Sequence, residues 1–238
     1  WRIFSHFFTM TIDNIFESLQ HLPVIYRGAP FWSWNGFLEE NELRLQIRQM
    51  KAAGLGGFFM HSRIGLKTPY LQKEWFEKIN VCIDEAQKNG MYAYIYDEDR
   101  WPSGSAGGLA TKEEKYRQQF LRAAEFDSVS DCKKNPGVLA YFTAVKKGRK
   151  LYDLHYHKTI PAELEQGSIL IRISHETAIP STWYNNSTYL NTLDPEAVQN
   201  FINITYEAYW REAGAHFGKT VPAIFADEPL FGVVNLPE

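Results

Sequence analysis

Four short apolar runs, amphipathic helices between them and polar residues at their ends predict an α/β fold. The type is the (β/α)8 TIM barrel, with the first four βα units present and an antiparallel β insertion among them. The runs are Ala29–Asn35, Gly57–His61, Met91–Tyr96 and Val221–Ala226. Buried parallel strands read as short continuous apolar runs because both of their faces are covered. The first three recur at roughly 30-residue spacing, the length of a βαβ unit.

Residues 1–28 read as a leader holding a short helix at Ile12–Leu19, and Met10 is the expected start of the chain. The opening Trp1–Phe8 is apolar, yet too short and irregular for a secretory signal, which needs an apolar region of roughly 7–15 residues and a cleavage site. After the first strand, Glu39–Ala53 places Leu43, Ile47 and Met50 on one helical face, and Gly54 stops it. Lys73–Asn89 turns Trp75, Ile79, Cys82, Ile83 and Ala86 inward, with Gly90 as its C-terminal glycine. Beyond the third strand, Thr111–Glu125 reads as a charged helix. Gly137–Val145, Lys150–His157 and Ser168–Ser174 then alternate, separated by Lys146-Lys147-Gly148 and Glu165-Gln166-Gly167. They predict antiparallel hairpins inserted at about 127–190 in a barrel domain spanning 29–238. Asp194-Pro195 opens a last helix as N-cap and first-turn proline, with Val198, Phe201, Ile202 and Thr205 inward.

A full barrel takes about 250 residues. With 238 residues and a large insertion, half a barrel is expected, with further domains C-terminal to Glu238. The other reading is a complete open four-stranded sheet, which leaves its strand edges exposed.

The composition, 45% hydrophobic and 22% charged, is that of a globular domain. A net charge of −3 argues against nucleic acid, whose phosphates demand a concentrated basic face. No stretch approaches the ~20 apolar residues that span a bilayer, so no membrane role is expected. The two cysteines, Cys82 and Cys132, make no disulfide framework, and a reducing, cytoplasmic compartment is expected. Asn185, Asn186 and Asn203 head glycosylation-type tripeptides, read as chance matches in the absence of a signal.

The chemistry-bearing residues sit where the strands stop. Tyr94-Ile95-Tyr96 runs into Asp97-Glu98-Asp99-Arg100-Trp101 and the turn Pro102-Ser103-Gly104, and Ile224-Phe225-Ala226 runs into Asp227-Glu228-Pro229. Carboxylates past the C-terminal ends of parallel strands are the acid/base equipment of barrel enzymes. Glu228 is the leading catalytic residue, against the alternative of a helix-capping acidic cluster. Asp97, Glu98 and Asp99 cannot all be buried and charged without partners, and Arg100 is the evident counter-ion. They are either sugar ligands or a solvated acidic loop. Trp101 beside them suits the C–H face of a pyranose, and the 15% aromatic content fits sugar platforms as well as a large core. His61 and Arg63 end the second strand, and Trp32, Trp34 and Asn35 the first, on the same expected rim. His155, His157 and His175 fall short of a metal-ligand pattern. No Walker, Rossmann or nucleophile-elbow motif is present; Gly104-Ser105-Ala106-Gly107-Gly108 approaches a phosphate loop but lacks its lysine.

Taken together, Pro30-Phe31-Trp32-Ser33-Trp34-Asn35-Gly36, Met50-Lys51-Ala52-Ala53-Gly54-Leu55-Gly56-Gly57, Tyr96–Gly104 and Asp227-Glu228-Pro229 resemble the N-terminal half of the catalytic barrel of glycoside hydrolase family 106, the α-L-rhamnosidases, and its relatives. The resemblance covers roughly Ala29–Gly108 and Asn191–Phe231. It implies a TIM barrel, inverting hydrolysis by two carboxylates and a calcium ion near the sugar. It also implies Glu228 as an active-site carboxylate, with Asp97, Asp99, Arg100 and His61 as sugar contacts. The second catalytic carboxylate of that family comes from later strands.

Two functions follow as expectations. One is a glycosidase, or its N-terminal part, acting on a terminal sugar held by Glu228, His61, Arg63, Trp34, Asp97, Glu98, Asp99, Arg100, Trp101 and Asp227. The other is a carbohydrate-binding module or inactive barrel fragment that cleaves nothing. A lyase or aldolase would want a strand-end lysine or a metal cluster, and neither is evident.

Overall fold

The computed structural model describes residues 16, 19, 22–133 and 135–229. Of the expected leader helix at Ile12–Leu19, only Phe16 and Leu19 fall among them, both helical. The chain divides into two compact units, residues 1–101 with 205–227 and residues 102–204 with 228–238.

The first unit is a parallel sheet backed by helices. Its strands are β1 (Phe31–Trp34), β2 (Gly57–Ser62), β3 (Tyr92–Asp99) and β8 (Ile224–Phe225), adjacent in that order and all parallel. Helix α1 (Glu40–Ala52) connects β1 to β2, and α2 (Lys73–Lys88) connects β2 to β3. The positions expected to face inward on α2 (Trp75, Ile79, Cys82, Ile83 and Ala86) are each fully buried. Leu43 and Ile47 are the buried residues of α1. Both helices end as the glycines require. Gly54 and Gly90 take φ of +84° and +60°, and the following amides of Leu55 and Met91 reach back to the carbonyls of Met50 and Ala86. Arg44 of α1 clamps the helix pair by donating to Asp84 at 2.7 Å and Glu85 at 3.0 Å on α2.

The two faces of the sheet differ. Trp34, Phe58, Met60, Ala93 and Ile95 are buried with α2 and with α4 (Tyr206–Ala213), and Trp32 and Ile224 pack at their margin. Trp34 lies edge-on to Trp75, ring centroids 5.2 Å apart. On the other face Phe31, Phe59, Tyr94 and Phe225 form an aromatic layer, with Phe59 stacked on Tyr94 at 4.5 Å and Phe31 5.1 Å from both Phe59 and Phe225.

The second unit is an antiparallel sheet of β4 (Gln119–Phe126), β5 (Val138–Lys147), β6 (Lys150–His157) and β7 (Ser168–Thr177), in the order β4-β7-β5-β6, together with helix α3 (Pro195–Ile204). The three strands expected from 137 to 174 are present and antiparallel, but only β5 and β6 form a hairpin, and β7 pairs with β5 and β4. The helix expected at Thr111–Glu125 is not: that segment holds only a 3₁₀ turn at Glu114–Tyr116, and from Gln119 onward it is β4. Alanine, glutamate and arginine favour a helix there, but pairing with β7 along its length, Gln119 opposite Thr177 through Phe126 opposite Leu170, overrides that preference. The inserted sheet therefore begins near 119 rather than 127. Asp194 caps α3 as expected, its Oδ1 accepting from the Glu196 amide at 2.9 Å.

The Gly104–Gly108 segment is shaped by packing. A Cβ on Gly104, at φ +140°, would lie 2.7 Å from the Tyr189 hydroxyl, which donates to the Ser103 carbonyl at 2.6 Å.

Candidate active site at the strand ends

The site grows from an irregularity in β3. Met60 pairs with Ile95, but Ser62 pairs with Asp99, so two steps along β2 match four along β3. The surplus makes a bulge at Tyr96–Glu98, the kind of local re-aiming that strands use beside active sites. It breaks the alternation of a regular strand, and Tyr96, Asp97 and Glu98 are buried in succession at 1% exposure or less.

Each acid of the run has its own donor. Asp97 Oδ2 accepts from the Tyr206 hydroxyl at 2.7 Å. Glu98 Oε1 accepts from the Asp99 amide at 2.8 Å. Asp99 Oδ1 accepts a short hydrogen bond from the Ser62 hydroxyl. Arg100 was the counter-ion expected for all three, and its Nε reaches 4.0 Å from Asp99 Oδ1. A neutral hydroxyl or amide donor thus reaches each of the three carboxyl groups.

A second cluster joins the ends of β2, β3 and β8. The Tyr96 hydroxyl lies 2.7 Å from Asp227 Oδ2 and 2.8 Å from the Arg100 carbonyl, two acceptors for its single proton. His61 stacks on Tyr96 with centroids 3.8 Å apart, and its Nε2 is 3.1 Å from the same carbonyl. Arg100 takes φ +82°, a left-handed conformation that turns its carbonyl toward both side chains. Burial and the charge of Arg63 lower the His61 pKa, so the imidazole is neutral at pH 7. Burial, and then Asp227, push the Tyr96 phenol far up, and burial and Asp97 do the same to Tyr206. Both remain hydroxyl donors throughout the physiological range.

The structure therefore brings together His61, Asp99, Arg100 and Asp227, with Asp97 and Glu98 buried on the same strand end. Trp34 is placed elsewhere, 2% exposed in the core against Trp75, because β1 turns Trp32 and Trp34 to the helix side. Arg63 is exposed and Trp101 half-buried. Glu228 is exposed and takes φ +43° directly before Pro229, a conformation that a residue preceding proline disfavours. Tyr96, Ser62 and Tyr206 are the participants that the strand-end pattern did not single out. Tyr96 stands in a motif already noted and Ser62 lies between His61 and Arg63, while Tyr206 carries no local signal. Among the described residues no group of three His, Cys, Asp or Glu is placed to hold a metal ion such as the calcium implied by the resemblance. No helix among the described residues is long and apolar enough to cross a membrane.

No protein-family model and no curated protein matches the sequence. Among solved structures, the chain is similar to a rhamnosidase from Novosphingobium sp. PP1Y, at TM-score 0.41 and 17% identity, over 54% of this chain and 15% of the rhamnosidase. The chain thus spans about 15% of that neighbour's length.

Proposed function

We propose that this chain is the substrate-holding part of a TIM-barrel glycosidase acting on a terminal sugar, α-L-rhamnoside-like in class. The observation that carries the reading is the convergence of Asp99, Asp227, His61 and Arg100 at the C-terminal ends of adjacent parallel strands, above an aromatic sheet face. Acids that accept hydrogen bonds beside aromatic rings are what a neutral polyol with C–H faces requires. In this reading Glu228, which is exposed, is the general acid or base. A carboxylate from later strands would complete the inverting pair, about 6.5–9.5 Å away across the sugar.

The second reading, a site that holds a sugar without cleaving it, is favoured by one observation. Asp97, Glu98 and Asp99 are each engaged by a protein donor, as ligand-orienting groups are. Kinetics separate the two. In a polypeptide that includes the later strands, Glu228→Gln should lower kcat by ~10²–10⁴-fold on a glycoside with a poor leaving group. On an activated aryl glycoside the loss should be small. Unchanged rates on both would remove Glu228 from the chemistry. The 238-residue chain alone should show no turnover.

A further inference from the structure

Helix α4 does not continue α3. The two are separated by a single residue, Thr205, which is fully buried with φ −104° and ψ −76°. The helical ladder resumes at once, with the Tyr209 amide bonding the Thr205 carbonyl at 2.9 Å. Tyr206 is thereby the first residue of a new helix rather than the middle of a long one, and its hydroxyl lies 2.7 Å from Asp97 Oδ2.

We propose that Tyr206 is a positioning residue for the candidate site: from the first turn of α4 its hydroxyl reaches Asp97 and fixes that carboxyl group's orientation at the end of β3. The proposal rests on the reading of the strand ends as a carbohydrate site. Asp97 is 1% exposed and sits in the bulge of β3. Groups that feel its charge include Tyr96 on its own strand, Tyr206 and Tyr209 on α4, and Tyr70 before α2. The Tyr209 hydroxyl accepts from the Trp75 indole N–H at 3.1 Å. The Tyr206 phenol, kept un-ionised by burial and by Asp97, presents a fixed donor. A hydroxyl–carboxyl hydrogen bond of 2.7 Å is of ordinary, well-formed length and orients both partners.

Two measurements test this. Carboxyl-carbon NMR of 13C-aspartate-labelled protein, with Asp97 assigned by its loss in Asp97→Asn, follows the titration of Asp97. Tyr206→Phe should move the Asp97 midpoint upward, because the charged form loses a donor. An unmoved midpoint would overturn the proposal. Binding of methyl α-L-rhamnoside and a panel of methyl monosaccharides is then compared among wild type, Tyr206→Phe, Asp97→Asn and the double variant, each shown folded by circular dichroism. Positioning predicts about a tenfold loss of affinity in Tyr206→Phe, and no further loss when it is added to Asp97→Asn. A purely structural contact predicts a lower melting temperature with wild-type affinity in the folded protein, and that result would also overturn the proposal. If wild type binds none of the panel, the carbohydrate reading falls, and the Tyr206–Asp97 coupling is decided by the titration alone.

Discussion

The two sheets of this chain are built on opposite terms. The parallel sheet has a helix-covered face on which Phe58, Met60, Ala93 and Ile95 are at 0% exposure, beneath α2 with Trp75, Ile79 and Ile83 equally buried. One face of the antiparallel sheet gathers a buried cluster of Ala144, Ile169 and Ile171, Leu170 between them is fully buried, and the edge strand β6 leaves Leu151, Tyr152, Leu154 and Tyr156 exposed. Asp153, at φ +52°, bulges that edge where the β5–β6 register shifts, which blunts it against pairing with another strand. The difference teaches where rigidity is invested. The carboxylates stand on the sheet with the deep core, and a site that must hold acids to within fractions of an ångström needs that support.

The contrast can be broken by mutation. Ile83→Ala, in the fully buried face of α2, should cost about 3–5 kcal/mol of stability, while Ile171→Ala in the inserted sheet should cost about 2. Urea unfolding of the two variants measures this. Equal costs would mean that the inserted sheet is as deeply supported as the parallel one.

The smallest expected effect is a pH dependence from His61. Its folded-state pKa is lowered from 6.5 by burial, with Arg63 adding to it, so the folded protein prefers the neutral ring. A lowered histidine favours the folded state fully above the unfolded value, and that advantage is lost as pH falls through 6.5 toward the folded value. The melting-temperature difference between wild type and His61→Gln should therefore shrink on going from about pH 7.5 to about pH 5. A difference that grows on acidification would show that His61 is stabilised as the cation.

The same contrast explains what could be read in advance. The parallel unit was legible because its strands are continuous apolar runs and α2 repeats its buried positions at helical spacing, Trp75 to Ala86, without exception. The inserted strand β4 was not, because Ala123, Ala124 and Glu125 favour a helix locally and only β7 supplies the reason for a strand. Trp34 looked like a rim residue because a tryptophan at a strand end reads alike on either face; which face the strand turned to the helices was settled by packing against Trp75. The acidic run announced a site, but the bulge that buries Asp97 and Glu98 side by side depends on register with β2. Tyr206 was hidden for a similar reason, since it meets Asp97 across 109 residues of sequence.

The central claim is that the strand-end acids hold a sugar, and Asp227, bonded to Tyr96 at 2.7 Å, is the acid through which to test it. Saturation-transfer NMR of the 238-residue chain against methyl α-L-rhamnoside and related methyl glycosides is the direct measurement. The account predicts saturable binding that weakens at least about tenfold in Asp227→Asn, the worth of a hydrogen bond to a charged group. Binding that survives Asp227→Asn and Asp99→Asn unchanged, or no binding to any sugar tested, would contradict it.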